Sequence, residues 1–128
     1  MKIMEKLVLW VDDLRDPPNR PGERYITARS VNEAKNCIEL MDQDMWMDYW
    51  IDGIPIEELH GFDIIDLDHD SGIYFPCGGD YINILNYLEE RTYNGYKFKF
   101  KFRIHSFNPV GVVNMRAIIK RNGWEEVR

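Results

Sequence analysis

Three short clusters in this chain carry groups that can hold cations, move protons and bind phosphate: Asp12-Asp13, Asp66-Leu67-Asp68-His69-Asp70 and His105-Ser106-Phe107-Asn108-Pro109. Paired carboxylates hold magnesium through oxygen ligands and water. Imidazole exchanges protons near neutral pH, and beside a phosphate it suits general acid or base work. Each cluster ends an apolar or alternating run (LVLWV, FDII, KFKFKFRI) of the kind a sheet buries. In open α/β sheets ligands bind just outside the carboxyl ends of the strands. Three such ends side by side would gather five acids, two histidines and a serine into one pocket.

Spacing separates the roles within the clusters. Alternation puts Asp66, Asp68 and Asp70 nominally on one side. Asp66 is deep in its strand, where a structural role is the alternative, whereas Asp68 at the tip is the leading ligand or nucleophile. Asp12 and Asp13 would point to opposite faces of a regular strand, but a turn at the strand end lets both face the crevice. Asn108-Pro109 is a good N-cap and first-turn pair, and a helix start offers free N–H groups and a favourable dipole to an anion. Ser106 adds a hydroxyl there, and His105 and His69 are the candidate proton carriers. Arg15 follows the first acid pair closely enough to clamp a phosphate oxygen; the plain alternative is a solvated loop arginine.

Elements that could position these groups are legible along the chain. Residues 6–12 suit a strand buried on both faces. Asp16-Pro17-Pro18 through Pro21-Gly22 is a loop, and 24–28 a second strand. Ser30-Val31-Asn32-Glu33 is a capping box opening a helix with the stripe Ala34, Cys37, Ile38 and Met41. Around Asp52-Gly53, residues 44–61 read as an inserted β-hairpin. Its aromatics Trp46, Tyr49 and Trp50 either cover a sheet edge or stack on a base. Residues 62–68 are a third strand and 71–79 a loop. Asp80 opens a helix with the stripe Tyr81, Ile84, Leu85 and Leu88, which ends near Asn94-Gly95. Residues 98–104 alternate strictly, with Phe98, Phe100, Phe102 and Ile104 on one face and Lys97, Lys99, Lys101 and Arg103 on the other. That pattern is awkward for a central parallel strand, so either its first half overhangs the sheet or one face is left open. The last helix buries Val112, Met115, Ile118 and Ile119, stops at Gly123, and leaves 124–127 for a final strand. Strands alternating with helices imply a largely parallel sheet with right-handed crossovers.

Bulk properties exclude several classes. The length of 128 residues points to one domain, 1–128. A net charge of −6 argues against broad, non-specific DNA binding or membrane adhesion, yet a bound cation could offset the acids for a nucleotide. The two cysteines suggest neither a disulfide framework nor a zinc motif: Cys37 lies on a helix stripe and Cys77 in the loop PCGG. No run approaches a membrane span and the opening residues lack a signal-peptide pattern, so the chain reads as cytoplasmic.

The arrangement resembles the receiver domains of response regulators, which carry an acid pair after the first strand, an Asp after the third and a Ser or Thr after the fourth. Asp12, Asp13, Asp68 and Ser106 match those positions. Receivers also have a lysine after the fifth strand, where this chain has Asn122-Gly123-Trp124-Glu125. A closer resemblance is to the cyclic-phosphate processing receiver domains. It is carried by Leu9-Trp10-Val11-Asp12-Asp13-Leu14-Arg15-Asp16-Pro17-Pro18, Leu67-Asp68-His69-Asp70-Ser71-Gly72, and His105-Ser106-Phe107-Asn108-Pro109-Val110-Gly111 with Asn114-Met115. The resemblance implies a receiver-like (flavodoxin-like) α/β fold with a mostly parallel five-stranded sheet flanked by helices. It also implies action on a nucleotide or RNA end bearing a cyclic phosphate. The expected chemistry is that of a phosphoesterase. Asp12, Asp13, Asp68 and Asp70 would hold Mg²⁺, and Asp68, His105 and His69 would carry the catalysis. Arg15, Ser106 and Asn108 would bind the phosphate. Two alternatives stand beside it: a module that binds a nucleotide without cleaving it, and a degenerate receiver used for protein contacts.

Overall fold

The apolar run after Lys6 forms the strand β1 (Lys6–Val11) because it lies inside a sheet, with a parallel neighbour on each side. The computed structural model describes residues 5–42, 50–51, 54–55 and 61–128. Its further strands are β2 (Glu23–Ala28), β3 (Trp50–Ile51), β4 (Ile54–Pro55), β5 (Ile64–Leu67) and β6 (Lys101–Ile104). The main sheet is wholly parallel, in the order β2-β1-β5-β6. Its helices are α1 (Val31–Asp42), α2 (Ile82–Tyr93) and α3 (Pro109–Arg121). The α/β, receiver-like expectation therefore stands, with four strands rather than five. Residues 124–127 touch β6 at one parallel bridge, Phe102 to Glu126, because Trp124 turns into a cluster of rings with Phe98 and Phe102.

β3 and β4 pair antiparallel, Trp50 with Pro55 and Ile51 with Ile54, as an inserted hairpin requires. The turn at Asp52-Gly53 and the aromatics Trp46 and Tyr49 lie outside the described residues.

Local signals explain the helix starts. Ser30 Oγ accepts the Glu33 N–H at 3.0 Å and caps α1. Asn108 Oδ1 accepts the Gly111 N–H at 3.0 Å and caps α3, with Pro109 in the first turn. Asp80 does not cap α2. Its carboxylate instead accepts the Ser71 N–H and hydroxyl, and the helix begins at Ile82. Residues 71–79 are not irregular throughout, since Gly72–Cys77 form a 3₁₀ helix. In α3 it is Gly111, not Val112, that is fully buried at the first turn. Among the described residues no helix is long and apolar enough to cross a membrane.

Strand register divides the sheet into two unlike faces. Leu7, Leu9, Val11, Ile26, Ala28, Ile65, Leu67 and Phe102 form one apolar cluster with residues of all three helices, including Ala34, Ile38, Ile84, Leu85, Leu88, Met115 and Ile118. Val8, Trp10 and Ile64 face the other way and are buried outside that cluster. The strand β6 covers only the second half of the Lys/Phe alternation, so the first half overhangs. There Phe98 and Phe100 stack with centroids 4.1 Å apart.

Charge occupies the second face. The register sets Trp10, Asp66 and Arg103 side by side on β1, β5 and β6. Arg103, on the lysine side of that alternation, is buried. Its Nε donates to Asp66 Oδ2 at 2.6 Å, and its two terminal nitrogens donate to Glu23 at 2.8 and 2.9 Å. Tyr25 adds a hydroxyl to Glu23 at 2.7 Å. Arg20, from the loop that joins β1 to β2 without a helix, lies 3.8 Å from Asp66. A buried arginine is tolerable only with its donors satisfied, and here a fork meets two carboxylates.

Two outcomes follow for stability. The Arg103 guanidinium holds the Glu23 carboxyl well below its ordinary 4.5, at about 2. A depressed acid stabilises the fold fully above its unfolded value and loses that contribution as pH falls through the folded one. Glu23→Gln should therefore lower stability at neutral pH by on the order of 3 kcal/mol. The deficit should shrink between pH 4.5 and 2, as urea melts across that range would read. Arg103→Met strands Asp66 without its main partner and should cost roughly 3–5 kcal/mol in the same melts.

Candidate functional site

Asp12 sits one residue beyond β1 and is 1 % exposed. Its Oδ1 accepts the Leu14 and Arg15 N–H groups, both at 2.9 Å. Its Oδ2 accepts Arg15 Nε at 3.0 Å and lies 3.0 Å from His105 Nε2. Burial alone pushes the Asp12 carboxyl up. The Arg15 and Leu14 N–H groups, His105 and the Arg15 charge outweigh burial and hold it below its usual range.

His105, just after β6, lies between two carboxylates. Its Nδ1 is 2.5 Å from Asp66 Oδ1, and its ring stacks on Trp10 with centroids 3.8 Å apart and planes 6° from parallel. With Nδ1 donating to Asp66, the second contact needs a proton between Nε2 and Asp12, since two lone pairs at that distance would repel. The Asp66–His105–Asp12 chain thus spans β5, β6 and β1 and continues through Asp66 to Arg103 and Glu23.

Arg15 closes this group. Beyond Asp12, its Nη2 reaches Asp68 Oδ2 at 3.4 Å and the His105 carbonyl at 3.1 Å, and its guanidinium lies 5.0 Å from the Phe107 ring centroid. Its carbonyl accepts Trp10 Nε1 at 2.8 Å and Arg29 Nη1 at 2.9 Å. Arg29 also holds the Asp12 carbonyl and Asp16, and the buried Tyr81 hydroxyl donates to the Arg29 carbonyl at 2.7 Å.

A second group lies one residue further along the chain after β5. His69 Nδ1 is 2.8 Å from Asp70 Oδ1, and Asn108 Nδ2 donates to both Asp70 oxygens at 3.3 and 3.5 Å. The His69 bond, and after it Asn108, holds the Asp70 carboxyl low. The two groups join at one peptide, where the His69 N–H donates to Asp68 Oδ1 at 2.8 Å. Ser106 Oγ accepts the Asn108 N–H at 3.1 Å.

The expected site residues thus fall into two gatherings. Asp12, Asp68 and His105 bring ligand atoms within 4.8 Å of one another, with Arg15 between the acids, and His69, Asp70 and Asp80 do the same. Asp13 belongs to neither. It lies over Gly72, whose φ of 55° and missing side chain leave room for its carboxylate. Burial pushes the Asp13 carboxyl up, and the charges of Asp12 and Asp68 add to that.

Acidic clusters of the kind that hold a divalent cation are therefore present. The donor set fits such an ion poorly. A carboxylate offers about four lone-pair sites, and all four on Asp12 face donors. A guanidinium bridges Asp12 to Asp68.

Trp10, Arg103, Arg29, Tyr81 and Asp80 are not singled out by the residue pattern as site partners, and Asp66 is, with a structural role as the alternative. Register was the missing signal: Asp66 pairs with Arg103 only once β5 and β6 are aligned.

Comparisons with known proteins bear on the family and the fold. A family model described as the cyclic-phosphate processing receiver domain matches residues 7–121. A solved structure of the response regulator LqsR from Legionella pneumophila is similar in fold, with a TM-score of 0.54 at 13% identity. The match covers 98% of this chain and 38% of that one, so the chain spans well under half of LqsR. No curated protein matches the chain.

Gly111 supports the second group by having no side chain. A methyl there would overlap the His69 ring. Gly→Ala in a helix ordinarily stabilises by roughly 0.5–1 kcal/mol. Gly111→Ala should do the reverse and lower the melting temperature, and the His69 ring resonances should move.

Proposed function

The chain belongs to the cyclic-phosphate processing receiver domain family, and from that premise we propose that it opens a cyclic phosphate on a nucleotide or RNA end. One observation carries the reading: two imidazoles, each held on a carboxylate, gather at adjacent strand ends beside an arginine. His105 is paired with Asp66, and His69 with Asp70. Ring opening of a cyclic phosphodiester needs a base, an acid and stabilisation of the phosphoryl oxygens.

In this reading His69 takes a proton from water, and Asp70 stabilises the imidazolium that results. The water oxygen forms a bond to phosphorus and one ring P–O bond breaks. The departing alkoxide receives the proton held between His105 and Asp12, so the product is a phosphate monoester. Arg15, 43 % exposed, offers its outer guanidinium edge to the phosphoryl oxygens. The Asn108 amide and the Ser106 hydroxyl, from the segment that follows β6, would add donors to the phosphate. Leu14 and Phe107, after β1 and β6, and Ile73 and Phe75, in the 3₁₀ helix after β5, are exposed, and the two phenyl rings could stack on a nucleobase. A cytoplasmic location suits such a substrate. No step calls on a divalent ion.

A second reading, binding without cleavage, has one observation in its favour. Both ring nitrogens of His105 are already engaged by carboxylates, so the inner group is saturated before any ligand arrives. Calorimetry followed by recovery of intact ligand would favour this reading.

The test is incubation with 2′,3′-cyclic and 3′,5′-cyclic nucleotides and RNA ends, followed by chromatography. The expected result is a monoester product from at least one of them. His69→Ala and His105→Ala should each cut turnover by roughly 10²-fold or more. No turnover of any substrate at high protein concentration would sink the proposal.

A further inference from the structure

We propose that the Arg15 guanidinium is the resident cation of this acid cluster, so that the protein binds its anion without a divalent metal. The inference concerns the same site as the phosphate-ester reading and rests on it only for the identity of that anion.

Position is the first argument. Arg15 Nε is 3.0 Å from Asp12 Oδ2 and its Nη2 is 3.4 Å from Asp68 Oδ2. The positive charge therefore lies between the two carboxylates that would have to share a metal ion. Ligand supply is the second. Asp12 has no unengaged lone pair, because two backbone N–H groups, Arg15 and His105 use them all. Asp13, the other acid of the pair, does not join the Asp12–Asp68–His105 gathering. The atom that does join it is an imidazole nitrogen, whereas magnesium demands octahedral oxygen and water.

Fixation is the third argument. Arg15 is not a loop side chain resting on an acid by chance. Its N–H is held by Asp12, its carbonyl by Trp10 and Arg29, and its terminal nitrogen by the His105 carbonyl. Trp10, Asp12 and Arg29 are themselves fixed at the ends of β1 and β2. Removing the guanidinium would leave Asp12 with its backbone and His105 contacts and Asp68 with the His69 N–H, two carboxylates with no cationic side chain bridging them, and like charges close together favour a cation or a proton between them.

The experiment compares wild type with Arg15→Gln and Arg15→Ala in thermal melts with EDTA, Mg²⁺ and Mn²⁺. Electron paramagnetic resonance of Mn²⁺ is read on the wild type, so that one measurement survives poor folding of the variants. The expected result is a wild-type melting temperature indifferent to metal, no bound-Mn²⁺ signal, and a metal-dependent rise of several degrees in the variants. A wild-type rise with Mg²⁺ that Asp68→Asn abolishes, or a bound-Mn²⁺ signal in wild type, would overturn the proposal. Folded variants that gain no metal response would overturn it as well, since the cluster would then not be a cation position. Cyclic-nucleotide turnover measured in EDTA and in Mg²⁺ keeps the two ideas separable: no turnover in either defeats the phosphate-ester reading and leaves the metal readings intact.

Discussion

Asp66 is a carboxylate with no exposure to solvent, in the middle of a parallel sheet. Such a charge is costly unless it is paired and hydrogen-bonded. Arg103 takes one of its oxygens and His105 the other. That single requirement organises the charged face. It draws Arg103 inward, which brings Glu23 and Tyr25 across from β2, and it sets the His105 ring against Trp10. With Nδ1 committed to Asp66, the opposite nitrogen meets Asp12. The site at the strand ends is the exposed limit of a buried ionic chain.

The two-faced sheet explains how so much charge is accommodated. Helix residues and one strand face share an apolar cluster, while the connection from β1 to β2 is a proline-rich loop rather than a helix. That loop lays Arg15 and Arg20 toward the other face, where both meet buried acids. Geometry, more than the number of contacts, decides whether such pairs hold. The Arg103 fork spans two carboxylates at hydrogen-bond distance, whereas Arg20 stands 3.8 to 4.0 Å from the same two acids and contributes little.

Much of this was readable from residue types. Apolar runs, the alternation at 98–104 and period-3.6 stripes located the four strands of the main sheet and, among the described residues, the three α-helices, and the caps at Ser30 and Asn108 act as their types suggest. The three polar clusters do sit at the ends of β1, β5 and β6. What residue types do not carry is lateral register. Alternation puts Arg103 with the lysines, on a face that it leaves either overhanging or open. Pairing with Asp66 on the next strand overrides that. The same limit applies to Asp12 and Asp13, adjacent acids with different surroundings: one is saturated by donors, the other lies over Gly72. Arg15 looked equally like a loop arginine and a phosphate clamp until its backbone was seen to be held on both sides. The final strand fell short for a local reason, the turn of Trp124 into the rings of Phe98 and Phe102.

The contacts that build the site join residues far apart along the chain. Eighty residues separate Glu23 from Arg103, and 93 separate Asp12 from His105. In kinetic terms, the β1–β2–α1 segment closes only short loops, while the ionic chain must await the arrival of β6. Long loops carry their entropy cost before their contacts form. A partly folded chain therefore has no assembled pocket, and its acids remain solvated and separate. The site is assembled only when both halves of the polypeptide have met.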